Sequence, residues 1–492
     1  MALSMVNIRR SLFITFFSST GLTVIQFSVN LFLARLLSPA EIGVYSMTIV
    51  LVNIAHIFQD FGVGSYLQRE KDLTPEKLRA ASGVIFTTSW LLAAAIYASS
   101  DWIGRWFNEP EMIPVMKVLA LCFALIPFGS ITGSLLTREF AAGKQAWVAA
   151  ASTSASAITC ITLAIMGFGA ISMAWANLAN IIVCCLIYIP LRPKYLPWLP
   201  SFKHWRGVVH FGVGSMLTNC LNAVNSSIPD ILLGKLGNAS LVGLFSRANS
   251  TVTIFFHIAG STANYGSEAY LAQAHYRGES LPALLSRATA LLTGIAWPAF
   301  VLTYIFSTEI IVVLYGEKWL PSVPAMDGLL VACAISTMFN YYPAAVSAIG
   351  RPYLGALPVL VTLVTRIAFA FALFDGSIQS FSWVICAATV LAMPVVIIQQ
   401  RIFLQYRFTS MLLALWPSAA VAIICMMGAG LLKLLLPASF APVFVLVVSA
   451  VPLACLWYFS LRITKHPLTG EIHKIVSGLQ VRAAQRRVQD QT

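Results

Sequence analysis

Charged residues are scarce in this chain of 492 residues, and their scarcity sets the first limit on its class. Only 10% of the residues are charged, 58% are hydrophobic, and the mean hydropathy is +0.81. A soluble protein of this length exposes far more charge. Runs of about 20 apolar residues, each long enough to cross a bilayer, recur along nearly the whole sequence. The composition excludes a soluble protein and predicts an all-α polytopic membrane protein.

Cysteine is present but not in a pattern that builds a site. All nine cysteines fall inside predicted membrane spans, and none shares a metal-ligand spacing with histidine. We therefore expect neither a disulfide framework nor a metal site, and the cysteines are expected to pack as small apolar residues. No cofactor is predicted.

Nucleotide-binding and catalytic signatures are also lacking. The pairs Gly143-Lys144 and Gly234-Lys235 have neither the upstream glycine nor the following Ser or Thr of a phosphate-binding loop. The predicted outside loops are short, the longest lying around 99–112. A polysaccharide polymerase or glycosyltransferase usually carries a large outside loop for its acceptor and carboxylates. The chain is therefore not predicted to be an enzyme.

The hydrophobic runs predict about fourteen membrane spans. They lie near 11–34, 44–66, 80–98, 113–137, 146–166, 170–190, 212–233, 243–265, 288–308, 323–347, 356–374, 381–400, 411–432 and 443–461. With the N-terminus inside, 23 of the 31 Lys and Arg fall in cytoplasmic segments, which places both termini in the cytoplasm. The net charge of +13 therefore orients the chain and attracts anionic membrane lipids, and no nucleic-acid partner is predicted.

An internal repeat organises these spans. Segments 30–58 and 230–258 match at an offset of 200 residues, and later segments match at 210 and 207. The equivalent pairs include Arg35 with Lys235, Gly43 with Gly243, Tyr45 with Phe245, Ser46 with Ser246 and Gly143 with Gly350. Two parallel copies of mostly apolar sequence are typical of a transporter with a substrate path between its halves.

The repeat divides the chain into five parts. Residues 1–190 form an N-terminal six-helix bundle, and 191–211 a basic linker on the cytoplasmic surface. Residues 212–400 form the second six-helix bundle, 411–461 two additional spans, and 462–492 a basic cytoplasmic tail. Six spans in each repeat make the copies parallel, related by an axis along the membrane normal around a central cavity. The tail is either an amphipathic surface helix or a solvated segment.

Polar residues form matching stripes on the first span of each repeat. The stripe of the second copy consists of Asn219, Asn222, Ser226 and Asp230, and that of the first of Ser19, Thr23, Gln26 and Asn30. Their spacing places each set on one helix face, which predicts two walls of a hydrated cavity. Helix–helix hydrogen bonding is the alternative interpretation.

Two arginines, Arg366 and Arg247, fall within predicted spans. A charge near the bilayer centre costs about 2.5–3.5 kcal/mol, so these side chains are expected to face protein or water. We predict that Arg366 attracts an anion into the cavity, with a structural ion pair to Asp230 or Asp327 as the alternative. Arg247 lies nearer the outer side, where it is also able to reach headgroups.

Lys117 and Asp327 occupy equivalent positions near the outer ends of their spans. They are candidates for a gate pair, with two interface-anchored charges as the alternative. Asp230 is a candidate for coupling the transport cycle to protons.

Four segments carry a family resemblance: ARLLSPAEIGVYS at 34–46, DFGVGSYLQRE at 60–70, GLFSRANS at 243–250 and AIGRP at 348–352. They resemble the polysaccharide transporter (flippase) family of the multidrug/oligosaccharidyl-lipid/polysaccharide exporter superfamily. The resemblance covers the first twelve spans. It implies two six-helix bundles around a central cavity through which a lipid-linked oligosaccharide moves from the cytoplasmic to the outer leaflet.

The resemblance also implies a substrate and a setting. The lipid carrier of such bacterial systems is undecaprenyl diphosphate in the inner membrane, and the units serve exopolysaccharide, capsule or O-antigen synthesis. Arg366, Arg247 and Arg35 then attract the diphosphate, while Asn219, Asn222, Ser226, Gln26 and Asn30 line the cavity or contact sugar. Alternating access would move the substrate, with a polysaccharide polymerase and export machinery as partners.

Three alternatives remain open at this point. A multidrug/cation antiporter of the same superfamily typically has twelve spans and uses carboxylates, whereas the deep charges here are arginines. A lipid II flippase is a second alternative, although the arginine-rich signatures associated with it are not evident. An integral-membrane polymerase is the third.

Overall fold

The structure is a computed structural model that describes residues 5–60, 62–70, 73–139, 141–193, 205–264, 267–437 and 439–473. Side chains are not described at 5–17, 19–20, 65, 68–69, 205–219, 255–264 and 269. All regular structure within these residues is helical, which confirms the predicted all-α fold. The described chain forms two compact units, Met1–Ser246 and Arg247–Thr492. Much of the predicted linker 191–211 and of the predicted tail 462–492 lies outside the described residues.

The described residues of the first unit form nine helices and the start of a tenth. They are α1 (Met5–Leu36), α2 (Pro39–Asp60), α3 (Val63–Arg69), α4 (Pro75–Phe107), α5 (Met112–Leu125), α6 (Pro127–Arg138), α7 (Ala142–Ile165), α8 (Ile171–Leu191), α9 (Trp205–Leu236) and α10 (Ala239–Asn264). Helix α7 packs against both α1 and α8, and α4 packs against α5. Both α2 and α4 pack against α9. The first helix of the second repeat therefore lies within the first unit.

The described residues of the second unit form the remainder of α10, nine further α-helices and two short 3₁₀ segments, 317–322 and 352–355. The helices are α11 (Ser267–Tyr276), α12 (Leu281–Ile305), α13 (Ser307–Tyr315), α14 (Val323–Met338), α15 (Tyr342–Ala348), α16 (Ala356–Leu373), α17 (Ile378–Phe403), α18 (Phe408–Leu435) and α19 (Pro442–Ile463). Helix α17 packs between α14 and α16, while the additional helix α18 packs against α12 and α19.

Ten helices among the described residues are long and apolar enough to cross a membrane. An eleventh span forms if α5 and α6 are counted together across their bend of 56°. Pro127 opens α6 at this bend, because proline has no N–H to continue the hydrogen bonding of α5. The remaining predicted spans fall on α1, α9 and α10, in each of which some side chains are not described. The count of fourteen therefore stays a prediction.

Repeat-equivalent glycines meet where α2 crosses α10 in the first unit. A Cβ atom on Gly43 would lie 1.7 Å from the carbonyl oxygen of Ala239. One on Gly243 would lie 1.9 Å from the carbonyl oxygen of Pro39. One turn further on, the hydroxyls of Ser46 and Ser246 are 3.5 Å apart. Only glycine permits this backbone contact, as small residues do at other close helix crossings in membranes.

A buried histidine joins three segments of the second unit. His466 follows α19 and is 1% exposed. Its Nδ1 accepts a hydrogen bond from the backbone N–H of Leu468 at 3.1 Å, and its Nε2 lies 3.0 Å from the Ser418 hydroxyl of α18. The ring covers Gly294 of α12, where a Cβ atom would lie 2.5 Å from the imidazole. With Nδ1 as acceptor, the ring is neutral with its proton on Nε2.

We expect acid to destabilise this junction. Burial lowers the pKa of His466 below its ordinary value of 6.5. The folded protein therefore binds fewer protons than the unfolded chain below pH 6.5, so stability is complete above that pH and falls as the pH drops. The melting temperature of the purified protein should decrease as the pH is lowered from 7.5 to 5.5. His466→Asn removes the titration and should flatten this dependence; an unchanged slope would contradict the assignment.

Candidate functional site

The polar face of α1 lines a cavity inside the first unit. The cavity has a volume of about 360 Å³ and is bounded by α1, α2, α7 and α8. Gln26, Val29, Asn30 and Leu33 contribute from α1, at a spacing that places them on one face. Gln26 and Asn30, predicted as cavity lining from sequence, are thus brought together in one site.

The opposite walls supply further amides and hydroxyls. These side chains are Tyr45 of α2, Thr153 and Ser156 of α7, and Asn177 and Asn180 of α8. The Asn177 amide and the Tyr45 hydroxyl line the same cavity. None of the described residues that line the cavity is charged. The site is therefore polar but neutral.

A second cavity of about 370 Å³ lies among α6, α7 and α8, and Asn180 lines both cavities. Its polar lining includes Ser130, Ser134, Thr137 and Gln145. The Gln145 amide donates to the Thr137 hydroxyl at 2.6 Å. The two cavities together give the first unit a polar interior along α8.

In the second unit Arg247 is held by aromatic rings. Its side chain is 8% exposed, and its guanidinium carbon lies 5.8 Å from the ring centroids of both Tyr315 and Trp319. Among the described residues no carboxylate forms an ion pair with it. The Thr251 hydroxyl donates to the Arg247 carbonyl at 2.9 Å and lies 3.3 Å from the Tyr315 hydroxyl. Cation–π attraction of this kind is strongest in dry surroundings.

Arg366 lies in the middle of α16, where its side chain is half-buried. Helix α16 exposes much of its surface, and only Pro358 and Ala370 are fully buried. An arginine in the middle of an apolar helix is costly to insert into a membrane, so its presence points to a functional role. Arg247 and Arg366 thus belong to the same unit, as does a groove of about 520 Å³ between α12, α13 and α19, whose lining is largely apolar.

The remaining candidates are distributed as follows. Asn222 and Ser226 are exposed on α9, Asp230 is half-buried on the same face, and the side chain of Asn219 lies outside the described residues. No ion pair to Asp230 occurs within the described part of the chain. Arg35 is exposed at the end of α1.

Lys117 and Asp327 each have a partner in their own unit. Lys117 forms an ion pair with Asp101 at 3.3 Å. The Asp327 carboxylate accepts a hydrogen bond of 3.2 Å from the Gln379 amide. A gate between Lys117 and Asp327 stays a prediction.

Sequence reasoning missed Tyr45, Asn177 and Asn180 of the cavity and the aromatic partners of Arg247. The signal available for α8 was the pair of asparagines at i and i+3 in an otherwise apolar helix, which places both on one face. The Tyr315 and Trp319 rings gave no such signal, because their contact with Arg247 is tertiary.

The family model described as polysaccharide biosynthesis protein matches residues 32–324, more than half of the chain. The chain belongs to this family. This confirms the resemblance read from the four segments of the sequence.

Individual proteins extend the comparison. The chain is 22% identical over 375 residues to the succinoglycan biosynthesis transport protein ExoT of Rhizobium meliloti (strain 1021), covering 74% of each chain. It is 22% identical over 384 residues to the teichuronic acid biosynthesis protein TuaB of Bacillus subtilis (strain 168), covering 75% of this chain and 77% of TuaB. A solved structure of the lipid II flippase MurJ, in an inward closed conformation, matches 91% of this chain and 98% of its own with a TM-score of 0.73 at 12% identity. The fold is that of a multi-pass membrane transporter.

Proposed function

We propose that this protein is a flippase for oligosaccharide repeat units linked to undecaprenyl diphosphate. It moves them across the bacterial inner membrane by alternating access, with both termini in the cytoplasm, for exopolysaccharide, capsule or O-antigen synthesis. Membership of the polysaccharide biosynthesis family supports the pathway, and a transporter fold supports movement of a substrate rather than catalysis. A polymerase and export machinery would take up the flipped unit.

The observation that carries the substrate class is the pair of arginines within the membrane helices of the second unit. A diphosphate is an anion that arginine binds through charge-assisted hydrogen bonds. Arg247 is almost fully buried without a described carboxylate partner, and Arg366 lies mid-helix. A multidrug cation would be repelled by the charge of Arg247, with which no described carboxylate forms an ion pair. The largely apolar groove of the same unit is suited to the polyprenyl chain.

Asp230 is the proposed coupling group. Its carboxylate is half-buried on α9, where an uncompensated charge is costly, so proton uptake and release would alter the stability of the surrounding helices. Lys117 and Asp327 remain the proposed outer gate, and Arg35 a further attractor of the diphosphate.

Gene deletion in the native host tests the function. Lipid-linked oligosaccharides should accumulate on the cytoplasmic face, as seen by mass spectrometry after labelling of the outer leaflet. Wild type should relieve the accumulation, whereas Arg366→Ala should lower the transport rate by about 10-fold or more, since hydrogen bonds to charged groups contribute about 1.5–3 kcal/mol. Arg401→Ala, which removes an exposed arginine at the end of α17, is the matched control.

Three results would refute parts of this proposal. Unpolymerised units on the outer face would indicate a polymerase or another step after flipping. Increased drug sensitivity without any lipid intermediate would favour the antiporter. Full activity of Arg366→Ala would remove that residue from the substrate path.

A further inference from the structure

The two repeats differ chemically at equivalent positions of α8 and α17. These helices begin at Ile171 and Ile378, the same offset of 207 residues that relates Gly143 to Gly350. In this register Asn177 corresponds to Val384 and Asn180 to Ala387. The amides that line the first cavity therefore have apolar counterparts in the second repeat.

The arginines show the opposite asymmetry. At the same offset Arg366 corresponds to Thr159, and at the offset of 200 residues Arg247 corresponds to Met47. Met47 is fully buried, and Thr159 is half-buried on α7. Helix α7 is one of the four helices, α1, α2, α7 and α8, that bound the first cavity, called the amide cavity below. The first repeat thus carries amides where the second is apolar, and uncharged residues where the second is cationic.

The amide cavity has unused hydrogen-bonding capacity. Within the described part of the chain, no hydrogen bond involves the side chains of Gln26, Asn30 or Asn180, although all three line the cavity. Each amide offers two donors and one oxygen acceptor. A ligand whose groups both donate and accept, as sugar hydroxyls do, would match this lining. An ion would enter without a counter-charge, because none of the described lining residues is charged.

The volume is appropriate for a small ligand. At about 360 Å³ the cavity falls within the range of about 300–1,000 Å³ usual for small-molecule sites. Its neighbour of about 370 Å³ shares Asn180 and extends the polar lining.

We infer that the cavity bounded by α1, α2, α7 and α8 binds an uncharged sugar of the substrate headgroup. This inference rests on the proposed flippase function and assigns the sugar of the substrate to the first unit. Tyr45 contributes a hydroxyl to the sugar site, and Gln26, Asn30, Asn177 and Asn180 supply its amides.

Binding to the full-length protein in lipid nanodiscs tests the assignment. The probes are undecaprenyl diphosphate alone and the same lipid carrying N-acetylglucosamine, glucose, galactose or glucuronic acid. We expect at least one neutral sugar to tighten binding by about 10-fold or more over the bare lipid, from two or more hydrogen bonds of about 1 kcal/mol each. Glucuronic acid should give less.

The variant Asn177→Val/Asn180→Ala carries the residues of the equivalent positions in the second repeat. It should lose most of the gain in affinity that the sugar gives over the bare lipid. It should still bind bare undecaprenyl diphosphate as wild type does, and this binding shows that the variant folds. Arg366→Met should weaken all probes equally. Asn53→Val, at an exposed amide on α2 outside the cavity lining, should change neither quantity. If the double variant fails to fold, Asn180→Ala and Gln26→Leu are measured separately.

The possible results distinguish failure of this inference from failure of the proposed flippase function. If the cavity variants keep the gain in affinity that the sugar gives, the inference is wrong, whereas the flippase proposal is unaffected. If glucuronic acid increases the affinity as much as a neutral sugar does, the site is not selective for uncharged sugars. A dependence of lipid binding on Na⁺ that the cavity variants abolish would identify a cation site instead. If wild type binds none of the lipids, the proposed function itself fails.

Discussion

Replacing Gly43 with valine is expected to reduce transport at least 10-fold by separating α2 from α10. A side chain at this position would meet the carbonyl oxygen of Ala239, since even its Cβ atom would lie only 1.7 Å away. The obstacle is backbone rather than the end of a flexible side chain, so the helices must move apart. The valine side chain would therefore disfavour the conformation in which α2 and α10 touch. Transport should slow because alternating access requires both the inward-facing and the outward-facing conformation to be populated.

Disulfide trapping measures the separation directly. The hydroxyls of Ser46 and Ser246 are 3.5 Å apart, so cysteines at both positions should crosslink under mild oxidation. Adding Gly43→Val should lower the crosslinked fraction, quantified by mass spectrometry of the digested protein. Gly430→Val is the matched control, because a Cβ atom there would meet no atom of the described residues within 4 Å. Equal crosslinking and transport with Gly43→Val would show that the contact is dispensable.

The repeat register predicted the equivalence of Gly43 with Gly243 and of Ser46 with Ser246, but not their contact. Equivalent residues of two copies touch only where a symmetry axis passes between them. The sequence offset contains no information on where that axis lies. The helical fold was predictable because apolar runs of bilayer length have few other solutions. The break at Pro127 was not predicted, although proline supplies its physical cause.

The candidate site was predictable only in part for a similar reason. The stripe of Gln26 and Asn30 on α1 is periodic, and both residues line a cavity in the structure, whereas the role assigned to that cavity stays a prediction. Asn177 and Asn180 stand among apolar residues, where two amides at i and i+3 equally suit helix–helix hydrogen bonding. Choosing between these interpretations requires the positions of α1 and α7, which are tertiary facts.

Trp319→Ala is the substitution expected to cost the most stability, about 3–5 kcal/mol, as is usual for truncation of a buried tryptophan. Trp319 is 0% exposed, and its ring lies 6.4 Å from that of Tyr315. The deletion also takes away one of the two rings that hold the Arg247 guanidinium. Trp319→Phe keeps an aromatic face and should cost less. Trp147→Ala, at a residue that is 67% exposed, should leave the melting temperature of the purified protein nearly unchanged.

A double-mutant cycle isolates the role of the arginine. If the Trp319 ring stabilises the cation, Arg247→Met should cost more in wild type than in the Trp319→Ala background, with a coupling of about 0.5–2 kcal/mol. A coupling within experimental error would show that Trp319 stabilises the unit by packing alone. A measurable coupling would mean that aromatic rings hold Arg247 in place of a carboxylate. That arrangement leaves its positive charge unneutralised, which is the property that binding a diphosphate requires.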